Sequence, residues 1–166
     1  SGKDYLVKSY FSSSWSLREA ALAKMTMLLP EICSAAGSMG DDETEVLFSI
    51  IETSNTDKNV QVYLSGLVLL DEVLRQLEQK GKKLNNNTTP LLSRILVDLL
   101  SKLADNSHKV ADSAELSLLA TAHSTTVDVA YVAQLATKRI RTKEAIGGRS
   151  VRARLEFLQN LSAEFG

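Results

Sequence analysis

The sequence predicts an all-α protein in which helices pair into repeated hairpins. Helix-favouring residues are abundant in the 166-residue chain, and only two prolines and eight glycines could interrupt them. Apolar residues recur at helical spacing in several segments, and short polar breaks separate these segments. With 44% apolar and 23% charged residues, the chain has the composition of a globular protein large enough to bury a core.

About eight helices are predicted, and capping residues and proline predict where the second helix begins and ends. The predicted ranges are 4–11, 15–29, about 42–52, 60–79, 90–103, 108–122, 126–141 and 150–164. Ser16 with Glu19 fits a capping box, which would place Trp15 before the cap and staple it onto Ala20. Pro30 predicts the end of the second helix, because proline is unfavourable inside a helix.

Further signals mark the later helices. Asp42 with Glu45 predicts the cap of the third helix. Gly81 is typical of a position just after a helix and predicts the end of the fourth. Thr89 before Pro90 predicts the start of the fifth, because threonine caps well and proline suits the first helical position.

The second helix of each pair repeats along the chain. Spacings of 45, 48 and 41 residues separate the positions predicted to be buried first, which are Leu17, Val62, Val110 and Val151. Three small residues and one large one follow four positions later: Ala21, Gly66, Ala114 and Leu155. Helical pairs of this length are typical of HEAT and armadillo repeats, so we predict a HEAT-like α-solenoid of about four hairpins. A closed helical bundle is the competing fold.

Few residues suggest catalysis. The two histidines, His108 and His123, form no metal-ligand motif, and Cys33 has no second cysteine and no base near it in sequence. We therefore expect no enzyme activity, no metal and no cofactor. A lone cysteine fits a reducing compartment, and no apolar run is long enough to span a membrane. The net charge of −1 argues against a polyanion-binding chain.

The turn inside each hairpin would emerge on one edge of such a stack. The residues predicted at this edge are Trp15 and Arg18, then Lys58 and Asn59, then Asn106, His108 and Lys109, then Lys143, Arg149 and Arg152 with Arg154 nearby. Asp57 and Asp105 dilute the positive charge of the edge. Tryptophan and arginine are enriched at interfaces, so the edge is a candidate protein-binding surface. Trp15 could equally be a partly buried packing residue.

The repeat length, the segment Trp15-Ser16-Leu17-Arg18 and the cationic later turns resemble the TOG domain, a flat paddle of HEAT repeats. The resemblance implies binding of αβ-tubulin through the intra-repeat turns, with Trp15 packed on β-tubulin. By position it implies tubulin-binding roles for Arg18, Lys58, Asn59, His108, Lys109, Arg149 and Arg152. Segments 15–22, 60–70 and 104–119 are most similar to the TOG type of the centrosomal and ciliary-tip protein of 104 kDa. TOG domains usually have six repeats, whereas this chain has room for about four.

The resemblance also implies binding partners and a cellular location. Tubulin would be the partner, with other cytoskeletal or centrosomal proteins possible and no membrane or nucleic acid. The protein would lie in the cytoplasm on the cytoskeleton, at microtubule tips, the centrosome or the cilium. Residues 1–2 resemble the remnant of a cleaved tag, so 3–166 are expected to form a single domain.

Two alternative functions are also compatible with the sequence. A HEAT or armadillo adaptor would bind a peptide or partner protein on its concave helix face instead of its turns. A nucleic-acid site is conceivable in the basic segment 138–154, although this segment lacks the interleaved aromatic residues typical of single-strand binding.

Overall fold

The computed structural model describes residues 2–138 and 148–166, and within these ranges every regular element is a helix. The helices are α1 (Gly2–Tyr10), α2 (Trp15–Ala36), α3 (Asp41–Asn55), α4 (Val60–Gln79), α5 (Thr88–Lys102), α6 (His108–His123), α7 (Val129–Thr137) and α8 (Arg149–Phe165). The predicted all-α class is therefore confirmed for the described residues. Helix α7 ends at Thr137, before the predicted end at 141. Residues 139–141, the candidate Lys143 and most of the basic segment 138–154 fall outside the described residues.

The chain divides into two compact units, residues up to 91 and residues from 92, and the boundary lies within α5. In the first unit, α2 packs against both α1 and α4, and α3 packs against α4. The largest fully buried side chains of this unit are Leu22, Phe48, Ile51, Leu69 and Leu70. The paired helices therefore share one apolar core.

In the second unit, α7 packs against both α6 and α8. Its fully buried side chains come from several helices and include Leu92, Ile95, Leu96, Leu99, Leu100, Leu118 and Phe157. None of the helices in the described part of the chain is long and apolar enough to cross a membrane.

Helix α2 continues past Pro30 to Ala36, so the predicted end at the proline is wrong. The apolar spacing explains the continuation, because Leu29 and Cys33 lie one turn apart and are both buried. The helix ends instead at Gly37, whose φ of 83° lies in the left-handed region that favours glycine.

Three predicted helix caps are also wrong. Helix α2 begins at Trp15, as its predicted range states, but its cap is Ser14 and not Ser16. Glu19 accepts a hydrogen bond from the Ser65 hydroxyl of α4 at 3.2 Å instead of closing a capping box with Ser16. Helix α3 follows Gly40, so Asp42 is not its cap.

The start of α5 also differs from its predicted cap. Helix α5 begins at Thr88, one residue before the predicted cap at Thr89. The Asn85 side chain accepts hydrogen bonds from the backbone amides of Asn87 and Thr88 at 2.9 and 2.8 Å, and the Thr88 hydroxyl accepts one from the Asn85 amide at 2.9 Å. This reciprocal arrangement satisfies amides that a helix start leaves without an intrahelical partner.

Of the four aligned positions predicted to be buried, the two middle ones are buried and the first and last are not. Val62 and Val110 are buried as predicted, but Leu17 is 41% exposed and Val151 is 40% exposed. The predicted small-residue register holds for Ala21, Gly66 and Ala114, which are buried, and fails for Leu155, which is 57% exposed. Helix α8 is rotated relative to the predicted register, because Arg154, Phe157 and Leu161 occupy its buried face.

The buried face of α3 also differs from its sequence pattern. The apolar residues Val46, Leu47, Ile50 and Ile51 lie at helical spacing and would favour a common buried face. In the structure Val46 is 59% exposed, while Phe48 and Ile51 are fully buried. Helix α3 approaches α4 closely where Gly66 faces Ser54, and a Cβ atom on Gly66 would lie 1.9 Å from the Ser54 hydroxyl oxygen. A glycine is therefore required for this contact.

Candidate functional site

The first candidate turn presents Trp15 at the start of α2. Its side chain is 47% exposed, so about half of the side-chain surface is buried and the other half is accessible to solvent. The preceding loop is compact, because the Ser14 amide donates to the Ser12 hydroxyl at 3.1 Å and the Ser14 and Ser16 hydroxyls lie 2.9 Å apart. Trp15 is thus presented from a short ordered loop.

Arg18 anchors this loop. Its Nη1 donates to the carbonyl oxygens of Ser12 and Ser13 at 2.9 and 3.0 Å, while its Nε and Nη2 donate to the two carboxylate oxygens of Asp57 at 2.8 and 3.0 Å. All three nitrogens of the guanidinium are therefore bonded within the chain. Such two-bonded arginine–carboxylate pairs fix geometry as well as charge.

The second turn is ordered by the same carboxylate. Asp57 also accepts a hydrogen bond from the Asn59 amide at 2.9 Å, and Asn59 in turn caps α4 by accepting from the Gln61 amide at 2.9 Å. The hydrogen bond from Arg18 lowers the pKa of Asp57 against the opposing effect of its burial, and the Asn59 amide adds to the lowering. Lys58 lies between these residues and is exposed.

In the second unit, Asn106 is exposed in the turn before α6, and His108 and Lys109 are exposed in the first turn of α6. Arg149, the first residue of α8, donates from Nη1 to the Asn106 side-chain oxygen at 2.5 Å and from Nη2 to the Asp105 carbonyl at 3.2 Å. An arginine therefore connects the starts of α6 and α8, just as Arg18 connects the starts of α2 and α4.

The two remaining arginines of the predicted edge differ. Arg152 is exposed on α8. Arg154, predicted as a nearby surface cation, is only 7% exposed, and its Nη1 donates to the Lys138 carbonyl at 3.5 Å. That expectation is wrong, because the rotation of α8 turns this side chain toward the protein interior.

The groups considered for chemistry are dispersed. Cys33 is buried, and burial raises the pKa of its thiol, as expected of an unreactive cysteine. His123 contacts the Glu164 carboxylate at 2.7 Å and lies against the Phe165 ring, with ring centres 4.4 Å apart. No group of three metal-binding side chains is found among the described residues.

Two solved structures are similar to this chain over 97% of its length, and both are TOG domains. The structure described as the TOG domain of human Cep104 matches with a TM-score of 0.77 at 18% identity, and the one described as the CEP104 TOG domain matches with a TM-score of 0.76 at 21% identity. The predicted HEAT-like architecture is thereby confirmed. This chain covers 62% and 63% of those two chains, so it spans about three fifths of their length.

The family follows from the sequence itself. The profile of the centrosomal protein CEP104 TOG domain matches residues 2–166, and the chain belongs to this family. The resemblance inferred from the sequence is confirmed down to the CEP104 type. No curated protein matches the chain in a sequence comparison.

Sequence reasoning missed the residues that order the turns. Asp57 appeared only as an acid that weakens a cationic edge, whereas it is the partner of Arg18 and the cap of its own turn. The signal that was available is local: an aspartate two residues before the Asn59 amide fits an Asx turn, which is common before helices. Its partner 39 residues away had no local signal.

Proposed function

We propose that this chain binds αβ-tubulin through its intra-repeat turns and helps to regulate microtubule dynamics. It would act as a binding protein without catalysis or a cofactor, on the cytoskeleton at microtubule tips, the centrosome or the cilium. Membership of the CEP104 TOG family supports this proposal. The observation that carries it within the chain is the half-exposed Trp15 on a loop pinned by Arg18.

Trp15 is suited to be the apolar centre of the contact. A tryptophan ring that is 47% exposed has substantial surface left to bury against a partner. Because its loop is held by hydrogen bonds, little conformational freedom remains to be lost on binding, which favours affinity. Tryptophan is also among the residues that most often dominate binding energy.

The exposed cations would supply the electrostatic part. Lys58, Lys109 and Arg152 are exposed at helix starts, where they would pair with acidic groups of tubulin. Charges at the rim of an interface raise the association rate more than the affinity, and salt screens them.

Arg18 and Arg149 would contribute differently. Both guanidinium groups are bonded to neighbouring turns, so we assign them the task of holding the turns in position. Asn59 would likewise act through its capping of α4, and His108 is exposed and available for contact.

Binding of soluble αβ-tubulin to the chain and to Trp15→Ala tests the apolar part. We expect the substitution to weaken binding by roughly 2 kcal/mol, about 30-fold. Leu116→Ala is the matched control, because Leu116 is a 69% exposed apolar residue in the middle of α6. A folded wild-type chain that fails to bind tubulin at low salt would refute the proposal, and equal losses in both variants would move the site away from Trp15.

Lys58→Ala and Lys109→Ala test the electrostatic part, with Lys24→Ala on α2 as an exposed control. We expect each of the two turn variants to slow association at low salt by several-fold, on the order of the steering effect of a rim charge, with little change in dissociation. The difference should vanish at high salt. A loss equal to that of the control would exclude these lysines from the contact.

A further inference from the structure

Two apolar cavities lie along α3 in the first unit. One, of about 460 Å³, is lined by the end of α2 and the start of α3, including Leu29, Ile32, Met39, Val46 and Leu47. The other, of about 450 Å³, lies between α1 and α3 over Met25 of α2, and is lined by Val7, Tyr10, Phe11, Val46 and Ile50. Val46 lines both, so the two cavities adjoin at this side chain, and we refer to the pair as the α3 groove.

Four large apolar side chains that line the groove are more than half exposed to solvent. Phe11 is 76% exposed, Val46 59%, Ile32 57% and Val7 56%. Four such side chains around one concave surface form a contiguous patch, and patches of this kind mark binding sites in soluble proteins. Trp15 does not line either cavity, so the groove does not include the tryptophan proposed to contact tubulin.

The charged residues lining the groove are all acidic. Asp42 and Glu43 line the first cavity and Glu45 lines the second, and no lysine, arginine or histidine is among the described residues that line either one. A cation near its margin, Lys82, donates to the Met39 carbonyl at 2.6 Å and lies 3.5 Å from Asp41. The apolar floor is therefore bordered by a surplus of negative charge.

We propose that this groove docks an amphipathic, basic helical segment of a partner protein. Its apolar face would cover Val46, Ile32 and Phe11, and its lysines or arginines would pair with Asp42, Glu43 and Glu45. The lining residues of α3 extend from Asp42 to Thr53, which at 1.5 Å per residue corresponds to a helix of about three turns. Helix-in-groove recognition uses apolar anchors one turn apart, as this length allows.

The charge pattern is what selects this occupant. An acidic or neutral amphipathic segment could cover the same apolar side chains but would meet like charge or no partner at three carboxylates. The same three carboxylates disfavour a second copy of this face, because a two-fold contact would bring the acidic residues of one copy near those of the other.

The test uses a synthetic peptide of about 14 residues with leucines at helical spacing and lysines between them, and an analogue in which glutamates replace the lysines. Binding to the whole chain is followed by fluorescence anisotropy. Val46→Lys is compared with Val68→Lys, since Val46 and Val68 are 59% and 60% exposed and Val68, on α4, lines neither cavity.

We expect the lysine peptide to bind, the glutamate peptide not to bind, and Val46→Lys to weaken binding at least about tenfold while Val68→Lys leaves it unchanged. The double variant Asp42→Asn with Glu45→Gln should weaken binding more than Asp112→Asn with Glu156→Gln, whose carboxylates are exposed elsewhere. Circular dichroism confirms that all variants remain folded.

Three results would overturn the proposal. Equal binding of both peptides would show that charge does not select the occupant. Equal losses in Val46→Lys and Val68→Lys would place the peptide outside the groove. A dimer in sedimentation velocity that Val46→Lys dissolves would show that a second copy of the chain occupies the face. None of these results depends on whether the chain binds tubulin.

Discussion

Arg18 and Asp57 form an ion pair through two hydrogen bonds, of 2.8 and 3.0 Å, that ties the loop before α2 to the turn before α4. The remaining guanidinium nitrogen holds the Ser12 and Ser13 carbonyls, and the carboxylate also holds the Asn59 amide. One pair of side chains thereby orders two consecutive turns of the first unit. The precision of any surface built from these turns depends on this pair.

Arg18→Gln should loosen the loop that carries Trp15. The substitution removes the ion pair and the two bonds to the loop carbonyls, so amide exchange at residues 12–15 should accelerate by about tenfold, the factor that corresponds to one hydrogen bond of typical strength. Hydrogen exchange read by NMR measures this directly. Arg152→Gln, which removes an exposed arginine from α8, is the control and should leave those amides unchanged. Unchanged protection in Arg18→Gln would show that the loop is ordered by other contacts.

Asp57 should make the free energy of unfolding decrease at low pH. Its pKa is lowered in the folded protein by the hydrogen bond from Arg18, so the stabilisation is fully present above the unfolded-state pKa of about 4 and is lost as the pH falls through the lower folded-state value. Asp57→Asn should therefore be less stable than wild type near neutral pH, and the difference should shrink as the pH falls below the unfolded-state pKa. Urea unfolding at several pH values measures the difference. A difference that does not shrink at any pH below the unfolded-state pKa would contradict the assignment.

Gly66→Ala should destabilise the first unit. A Cβ atom would lie 1.9 Å from the Ser54 oxygen and 2.8 Å from its Cβ, so α3 and α4 would have to separate. Such overpacking costs about 1–3 kcal/mol, to be measured by urea unfolding. Adding Ser54→Gly removes both clashing atoms and should recover part of the loss relative to the sum of the single variants. Strict additivity would show that the two residues do not interact.

The buried face of α8 gives a direct test of its register. Phe157 is 1% exposed and Leu155 is 57% exposed, two residues apart on the same helix. Phe157→Ala should lower the free energy of unfolding by about 3–5 kcal/mol, whereas Leu155→Ala should change it by about 0.5 kcal/mol or less. Thermal or urea unfolding distinguishes the two. Comparable losses would favour the register in which Leu155 faces the core.

Much of the helical framework could be predicted from periodicity. The bounds of α4, Val60–Gln79, agree with the prediction, because a long regular apolar stripe lies between a capping asparagine and Gly81. The prediction was poorer where the stripe was short or mixed. In α8, Val151 and Leu155 share a face with helical spacing, but burial follows Arg154, Phe157 and Leu161. An arginine on the buried face has no sequence signal, since arginine is mostly exposed.

The exposure of several candidate residues could be predicted, whereas their role in binding stays a prediction. Trp15 at the first turn is half exposed, and Lys58, His108 and Lys109 are exposed at helix starts. The sequence could not distinguish residues that are available to a partner from residues whose side chains are hydrogen-bonded within the chain. Arg18 and Arg149 find their partners 39 and 43 residues away, and such pairings depend on how neighbouring hairpins are placed.

The sequence by itself determined the helical class, the pairing of helices and the family, because these depend on spacing and residue type along one segment at a time. The tertiary structure decided where α2 ends, which face of α3 and α8 is buried, and which arginines are bonded within the chain. Pro30 illustrates the reason: a local preference for ending the helix is outweighed by burial of Leu29 and Cys33 against neighbouring helices. Packing free energy is summed over many contacts distant in sequence, so no local pattern contains it.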